Sequence, residues 1–119
     1  MCLKHFKPTL LLFEWGIKRM AKLERDFQSI LIKEIKKMFE GCIVMKTDPN
    51  YIQGLPDLLI LYKNKWAALE VKRSLTANVR PNQKYYVDLM NDMSISKFIC
   101  PENKEEILNE LQQAFFSGR

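Results

Sequence analysis

Between Ala21 and Glu40 the apolar residues Leu23, Phe27, Ile30, Leu31, Ile35, Met38 and Phe39 recur at steps of three and four, with Lys33, Lys36 and Lys37 between them. That spacing predicts an amphipathic helix, and Gly41 is placed to close it. "CIVMKT" (42–47) then has the length and β-branched content of a strand, and "DPN" (48–50) the composition of a turn. "DLLILY" (57–62) and "WAALEV" (66–71) are two further apolar runs around the polar link "KNK", which predicts a hairpin. After the polar loop "SLTANVRPN", Pro81 suits the first turn of a helix through Met93, on which Tyr85, Leu89 and Met93 share a face. "KFIC" (97–100) reads as a fourth short strand. "PENKEEILNELQQAFF" (101–116) reads as a last helix with Ile107, Leu108, Leu111 and Phe115 as its apolar stripe. The order is helix, three strands, helix, strand, helix, with no repeat, low-complexity tract or linker.

Upstream, "PTLLLFEWGIKRM" (8–20) follows Lys4, His5 and Lys7 in a way that imitates the start of a signal peptide, but its apolar run is short and Glu14 interrupts it. Neither secretion nor membrane insertion is expected. Residues 1–19 are taken as an N-terminal extension, either a short amphipathic helix or sequence upstream of a start at Met20, and residues 20–119 as one domain.

Composition narrows the chemistry. At 119 residues and 47% hydrophobic content, the chain is long enough to bury roughly two-thirds of its unfolded surface in a single core. Its 19 Lys and Arg against 14 Asp and Glu give a formal net charge of +5, which suits a polyanionic partner such as nucleic acid, although many basic proteins bind none. Cys2, Cys42 and Cys100 are odd in number, far apart and in no CxxC pair, so neither a disulfide framework nor a zinc site is indicated, and a reducing cytoplasm fits. The one histidine, His5, excludes His-based triads and His-ligated zinc elsewhere in the chain. Any catalysis must rest on carboxylates and lysine.

Such groups sit at the strand ends of "GLPDLLILYKNKWAALEVK" (54–72). If the hairpin turn is the two residues Lys63 and Asn64, Asp57 falls opposite Glu70; a three-residue link makes the pair diagonal and still near. Glu70 and Lys72 are two residues apart on one strand and share a face, with Val71 on the other. Two carboxylates side by side on a sheet are destabilising unless something neutralises them. A divalent cation does so, and Mg2+ accepts one or two carboxylates, a backbone carbonyl and a phosphate oxygen. The Val71 carbonyl is the natural third protein ligand. Such a cation lowers the pKa of a bound water and offsets charge on a phosphate in flight, while Lys72 holds or deprotonates that water or steadies the phosphate. "PD" or "ExK" alone is an ordinary wet strand end; on facing strands the two together describe phosphodiester hydrolysis.

"GLPD", then the twelve residues 58–69, then "EVK" resembles the PD-(D/E)XK nucleases. Within that superfamily the chain is most similar to the small phage VRR-NUC and Holliday-junction-resolvase-like members, over roughly residues 20–116. The resemblance implies an α/β fold with a restriction-endonuclease-like core: a central mixed four-stranded sheet, in the order helix, three strands, helix, strand, flanked by helices. It implies that Asp57 and Glu70 bind Mg2+ or Mn2+, that Lys72 is the catalytic lysine, that Glu24 is an accessory acid binding metal directly or through water, and that Gln83 supports the site or touches the phosphate backbone. From their own sequence context Glu24 and Gln83 read equally well as exposed helix residues. Gly54 would let nucleic acid approach the backbone, and Pro56 restricts the chain entering Asp57. Lys46, Arg73, Arg80 and Lys84 are the expected phosphate contacts, although a solvated basic loop has the same composition.

The expected function is therefore that of a metal-dependent endodeoxyribonuclease, with branched DNA or a Holliday junction as one candidate substrate beside a flap, a nicked duplex or a specific sequence, in the cytoplasm, or in the host cytoplasm if phage-encoded. Its expected partners are DNA and a second copy of itself in a homodimer or higher homo-oligomer, with the apolar N-terminal segment as contact. The alternatives are an inactive nucleic-acid-binding module on the same fold and a nuclease acting on RNA.

Overall fold

The computed structural model describes residues 8–117, so Cys2, His5 and the rest of the extension before Pro8 lie outside the described residues. The elements are α1 (Pro8–Met38), β1 (Ile43–Lys46), β2 (Leu58–Tyr62), β3 (Lys65–Val71), α2 (Pro81–Met93), β4 (Ile95–Ile99) and α3 (Lys104–Phe115). They form an α/β fold around one mixed sheet of strand order β1-β2-β3-β4. The first three strands run antiparallel, and β4 lies parallel to β3 because α2 carries the chain back across the sheet.

Strand alternation gives the sheet two unlike faces. Leu58, Ile60 and Tyr62 of β2, Ala67, Leu69 and Val71 of β3 and Ile99 of β4 point one way. They form the core with Leu31, Ile35 and Phe39 of α1 and Leu108, Leu111 and Phe115 of α3. Each large side chain buried there stabilises the fold by about 1.5–3 kcal/mol. Val87, buried outside this cluster, seats α2 on the opposite face over β3 and β4. Glu70 and Ser96 are buried on that second face. Two ties brace the frame: Lys65 Nζ donates to Ala114 O at 2.9 Å and to Ser117 O at 2.9 Å, capping the end of α3, and Lys104 pairs with Glu34 of α1 at 2.7 Å.

The first helix differs from expectation. In place of a short extension followed by a helix from Ala21, one unbroken helix of 31 residues starts at Pro8 and runs to Met38 before Gly41 turns the chain at φ +90°. At 1.5 Å per residue it is about 46 Å long, against about 23 Å for the seven-residue β3. Only its later turns have sheet beneath them. Leu11, Leu12, Phe13, Trp15, Ile17 and Met20 are therefore exposed, and so are Leu23 and Ile30, which lie to the side of the stripe that packs. On α2 the shared face of Tyr85, Leu89 and Met93 is also exposed, and the buried contact is Val87 with Tyr86 and Met90 half-buried beside it.

Candidate active site

The hairpin turn is Lys63–Asn64, with Tyr62 opposite Lys65 and Lys63 in the left-handed region at φ 56°. This two-residue link fixes the register from Tyr62↔Lys65 to Leu58↔Leu69. One step beyond the last pair, Asp57 stands opposite Glu70. The chain is held there by Thr47, whose Oγ1 donates to Pro56 O at 2.7 Å and whose N–H donates to Asp57 O at 2.9 Å. Asp57 Oδ2 in turn accepts the N–H of Val71 at 2.9 Å. A residue in a strand directs its N–H and C=O to the same edge, so the Val71 carbonyl leaves β3 on the side of Asp57.

Glu70 is 3% exposed and Lys72 9%. Burial of such charges is costly unless they are paired and hydrogen-bonded, and the pairing is supplied largely by one side chain. Gln83 Nε2 donates to Glu70 Oε2 at 3.0 Å, and Gln83 Oε1 accepts from Lys72 Nζ at 2.8 Å and from the N–H of Arg80 at 3.0 Å. The last contact is half of a capping box, with Gln83 reaching back over the first turn of α2. Lys72 Nζ also donates to Asn78 O at 3.0 Å and lies 3.7 Å from Glu70 Oε2, while its backbone N–H donates to Ile99 O at 2.8 Å.

Glu70 Oε1 is left buried without a hydrogen-bond partner. Burial, and then the Asp57 charge beside it, push the Glu70 carboxyl up to about 8. Asp57 is also raised, by burial first, against the opposing effects of the Val71 N–H and Lys72. Two carboxylates this close do not both ionise cheaply, and a divalent cation between them would replace the shared proton. The donor set suits Mg2+ or Mn2+: Asp57, the free Oε1 of Glu70 and the Val71 carbonyl are all hard oxygens. Among the described residues no three His, Cys, Asp or Glu side chains form a group that could hold a metal by themselves; Mg2+ generally keeps several water ligands beside one or two carboxylates.

Glu24 stands two helical turns before Leu31 on the same face of α1 and is half-buried. Its carboxyl is raised by burial and then by Asp57, with Lys72 and Arg73 acting in the opposite direction. The arrangement therefore brings Glu24 within electrostatic reach of the carboxylate pair. Arg73 reaches Ser74 Oγ at 3.3 Å, and Arg80 is exposed at the start of α2. Lys46 is exposed at the end of β1, and Lys84 is paired with Asp88 at 2.6 Å one turn along α2. Neither is among the charges that bear on Asp57 or Glu70.

Two contributors left no sequence signal: the Asn78 carbonyl that anchors Lys72, since every residue has a carbonyl, and Thr47, which sits in an unremarkable strand end. Gly54 differs from expectation in what approaches it. At φ +94° it packs on α2, where an added Cβ would lie 2.9 Å from the carbonyl carbon and the side chain of Asn82. The glycine is needed first by the protein's own packing.

Among the described residues no helix is long and apolar enough to cross a membrane. Comparison with family models, with curated proteins and with solved structures finds no match to the chain.

Proposed function

We propose that the chain is a divalent-cation-dependent endonuclease that hydrolyses DNA phosphodiester bonds, on a restriction-endonuclease-like core of the PD-(D/E)XK kind. The observation that carries this reading is the facing of Asp57 and Glu70, with Glu70 Oε1 buried and unpartnered and Lys72 two residues along the same strand. Branched DNA is the proposed substrate, and a second copy of the chain the proposed partner.

Asp57, Glu70 and the Val71 carbonyl would hold the cation, with Glu24 as an accessory acid acting directly or through water. The cation supplies a water of lowered pKa and charge to offset the phosphate in its transition state. Lys72 Nζ, fixed by Gln83 and Asn78, is the one buried cation of the site and positions the attacking water or a phosphate oxygen. Arg73 and Arg80, flanking the loop from β3 to α2, contribute charge for the phosphates on either side. The exposed apolar residues of α1, Phe13, Ile17 and Met20, fall on one helical face and serve contact between copies. A full-length protein that sizes as a monomer, unchanged by Ile17→Lys, would remove that contact.

The test of activity is cleavage of branched, flapped, single-stranded and linear DNA, and of RNA, with Mg2+ or Mn2+, against chelator and against Glu70→Ala. Metal-dependent cutting abolished by Glu70→Ala is the expected result. Salt-sensitive binding without cutting would make the protein a binding module with idle carboxylates, and cutting of RNA alone would change the substrate.

A further inference from the structure

Tyr51 is 83% exposed, the most open large apolar side chain among the described residues. It does not hang on a loose loop. Asn50 N–H donates to Asp48 Oδ1 at 2.9 Å, and the N–H groups of Tyr51 and Ile52 both donate to Asp48 O, at 3.1 and 3.4 Å. Three residues on, Gly54 is pressed against Asn82 in the first turn of α2. One turn after Asn82, on the same face, Tyr85 is 60% exposed and held edge-on against Tyr86, with ring centroids 5.1 Å apart. Two solvent-facing aromatic rings thus sit on two elements locked together by the Gly54–Asn82 contact, at the end of the sheet that carries Asp57 and Glu70.

An aromatic side chain held in water by an ordered turn gains nothing for folding from its apolar area. Flat rings on elements that also carry exposed positive charge, Lys46 at the end of β1 and Arg80 at the start of α2, offer what unpaired bases need, a face to stack on and charge for the backbone. Bases inside a duplex have their faces covered by their neighbours and present only edges.

We infer that Tyr51 and Tyr85 form a base-stacking platform for an unpaired nucleic-acid strand running to the phosphate at Asp57 and Glu70. This rests on the nucleic-acid reading of the site but not on catalysis. The preferred substrate is then DNA with unpaired nucleotides beside the cut, such as a flap or an opened branch point.

The test measures binding in chelator of an oligothymidylate carrying one 2-aminopurine, and of a duplex of equal length, to the full chain. It compares wild type with the double variants Tyr51→Ala/Tyr85→Ala and Tyr51→Phe/Tyr85→Phe. The alanine pair should lose about tenfold or more on the single strand and abolish 2-aminopurine quenching, while duplex binding changes less than about twofold and the phenylalanine pair behaves as wild type. Unchanged single-strand binding by the alanine pair, equal loss on both substrates, or loss in the phenylalanine pair would each overturn the platform. Because no cleavage is needed, the two readings fail separately: selective single-strand loss without metal-dependent cutting removes the nuclease alone, and cutting with no such loss removes the platform alone.

Discussion

Gln83 and Glu70 are joined by a 3.0 Å hydrogen bond from the amide Nε2 to Oε2, and the oxygen of the same amide accepts from Lys72 at 2.8 Å. One side chain on α2 thereby orients both functional groups of the "ExK" strand. The amide has only one orientation that satisfies these contacts, since its nitrogen must face the carboxylate and its oxygen the ammonium.

Replacing Gln83 should therefore act on the site and the helix together. Gln83→Ala is expected to lower metal-dependent cleavage by about 10- to 100-fold through misplaced Glu70 and Lys72. Losing the half capping box should cost about 1 kcal/mol of stability. Rates and urea unfolding of the same preparation measure both, and a stability loss with unchanged rates would show that Gln83 serves only the fold.

The raised carboxyl of Glu70 makes a statement about pH and stability. Its folded value of about 8 lies above the ordinary carboxyl value of 4.5, so between those limits the native state binds more protons than the unfolded state. The resulting stabilisation is full below about pH 4.5 and is lost as pH rises through about 8. Asp57 and Glu24 are raised too and act in the same sense. Glu70→Gln cannot ionise at this position, so in chelator it should gain stability relative to wild type as pH is raised from 5 to 8. Parallel unfolding midpoints across that range would contradict the burial of an ionisable Glu70.

A cation that takes the place of the shared proton should stabilise the folded chain. Mg2+ or Mn2+ at about a hundred times its dissociation constant contributes about 2.7 kcal/mol, and the gain should be larger at pH 8 than at pH 5, where protons compete. Thermal unfolding with and without metal measures it. Asp57→Asn/Glu70→Gln should abolish the increment, and an equal increment in that variant would locate the cation elsewhere.

Gly54→Ala probes the contact between the loop before Asp57 and α2. A φ of +94° and a Cβ 2.9 Å from the backbone of Asn82 leave no room for the methyl group. We expect a loss of about 1–3 kcal/mol, with a fall in cleavage because the turn that aims Asp57 is displaced. An alanine variant with wild-type stability and rate would mean that the loop relaxes without consequence.

The elements that were legible in the sequence are those whose own periodicity is strong. The α3 stripe of Ile107, Leu108, Leu111 and Phe115 is buried as its spacing predicts, and α2 spans Pro81–Met93 between the expected limits. The exposed faces were harder to read. Leu23, Ile30, Tyr85, Leu89 and Met93 fit helical stripes, but a stripe does not say whether another element lies over it. On α1 the helix outruns the sheet, and on α2 the contact is made by the neighbouring face through Val87.

The sequence by itself determined the order of elements, the hairpin and the nearness of Asp57 to Glu70, because alternation along two strands joined by a short turn is a local property; the structure shows the two-residue turn that makes them direct partners. Only the tertiary structure decided that Gln83 bonds Glu70 and that Glu24 comes within electrostatic reach of the pair, since each comes from a helix whose rotation over the sheet is set by distant contacts: Leu31, Ile35 and Phe39 for α1, Val87 and the Gly54–Asn82 contact for α2. It also decided that Lys84 is taken up by Asp88 and that Glu70 keeps one oxygen unpartnered. Those outcomes depend on which groups meet across gaps in the chain, and neither spacing nor composition encodes that distance.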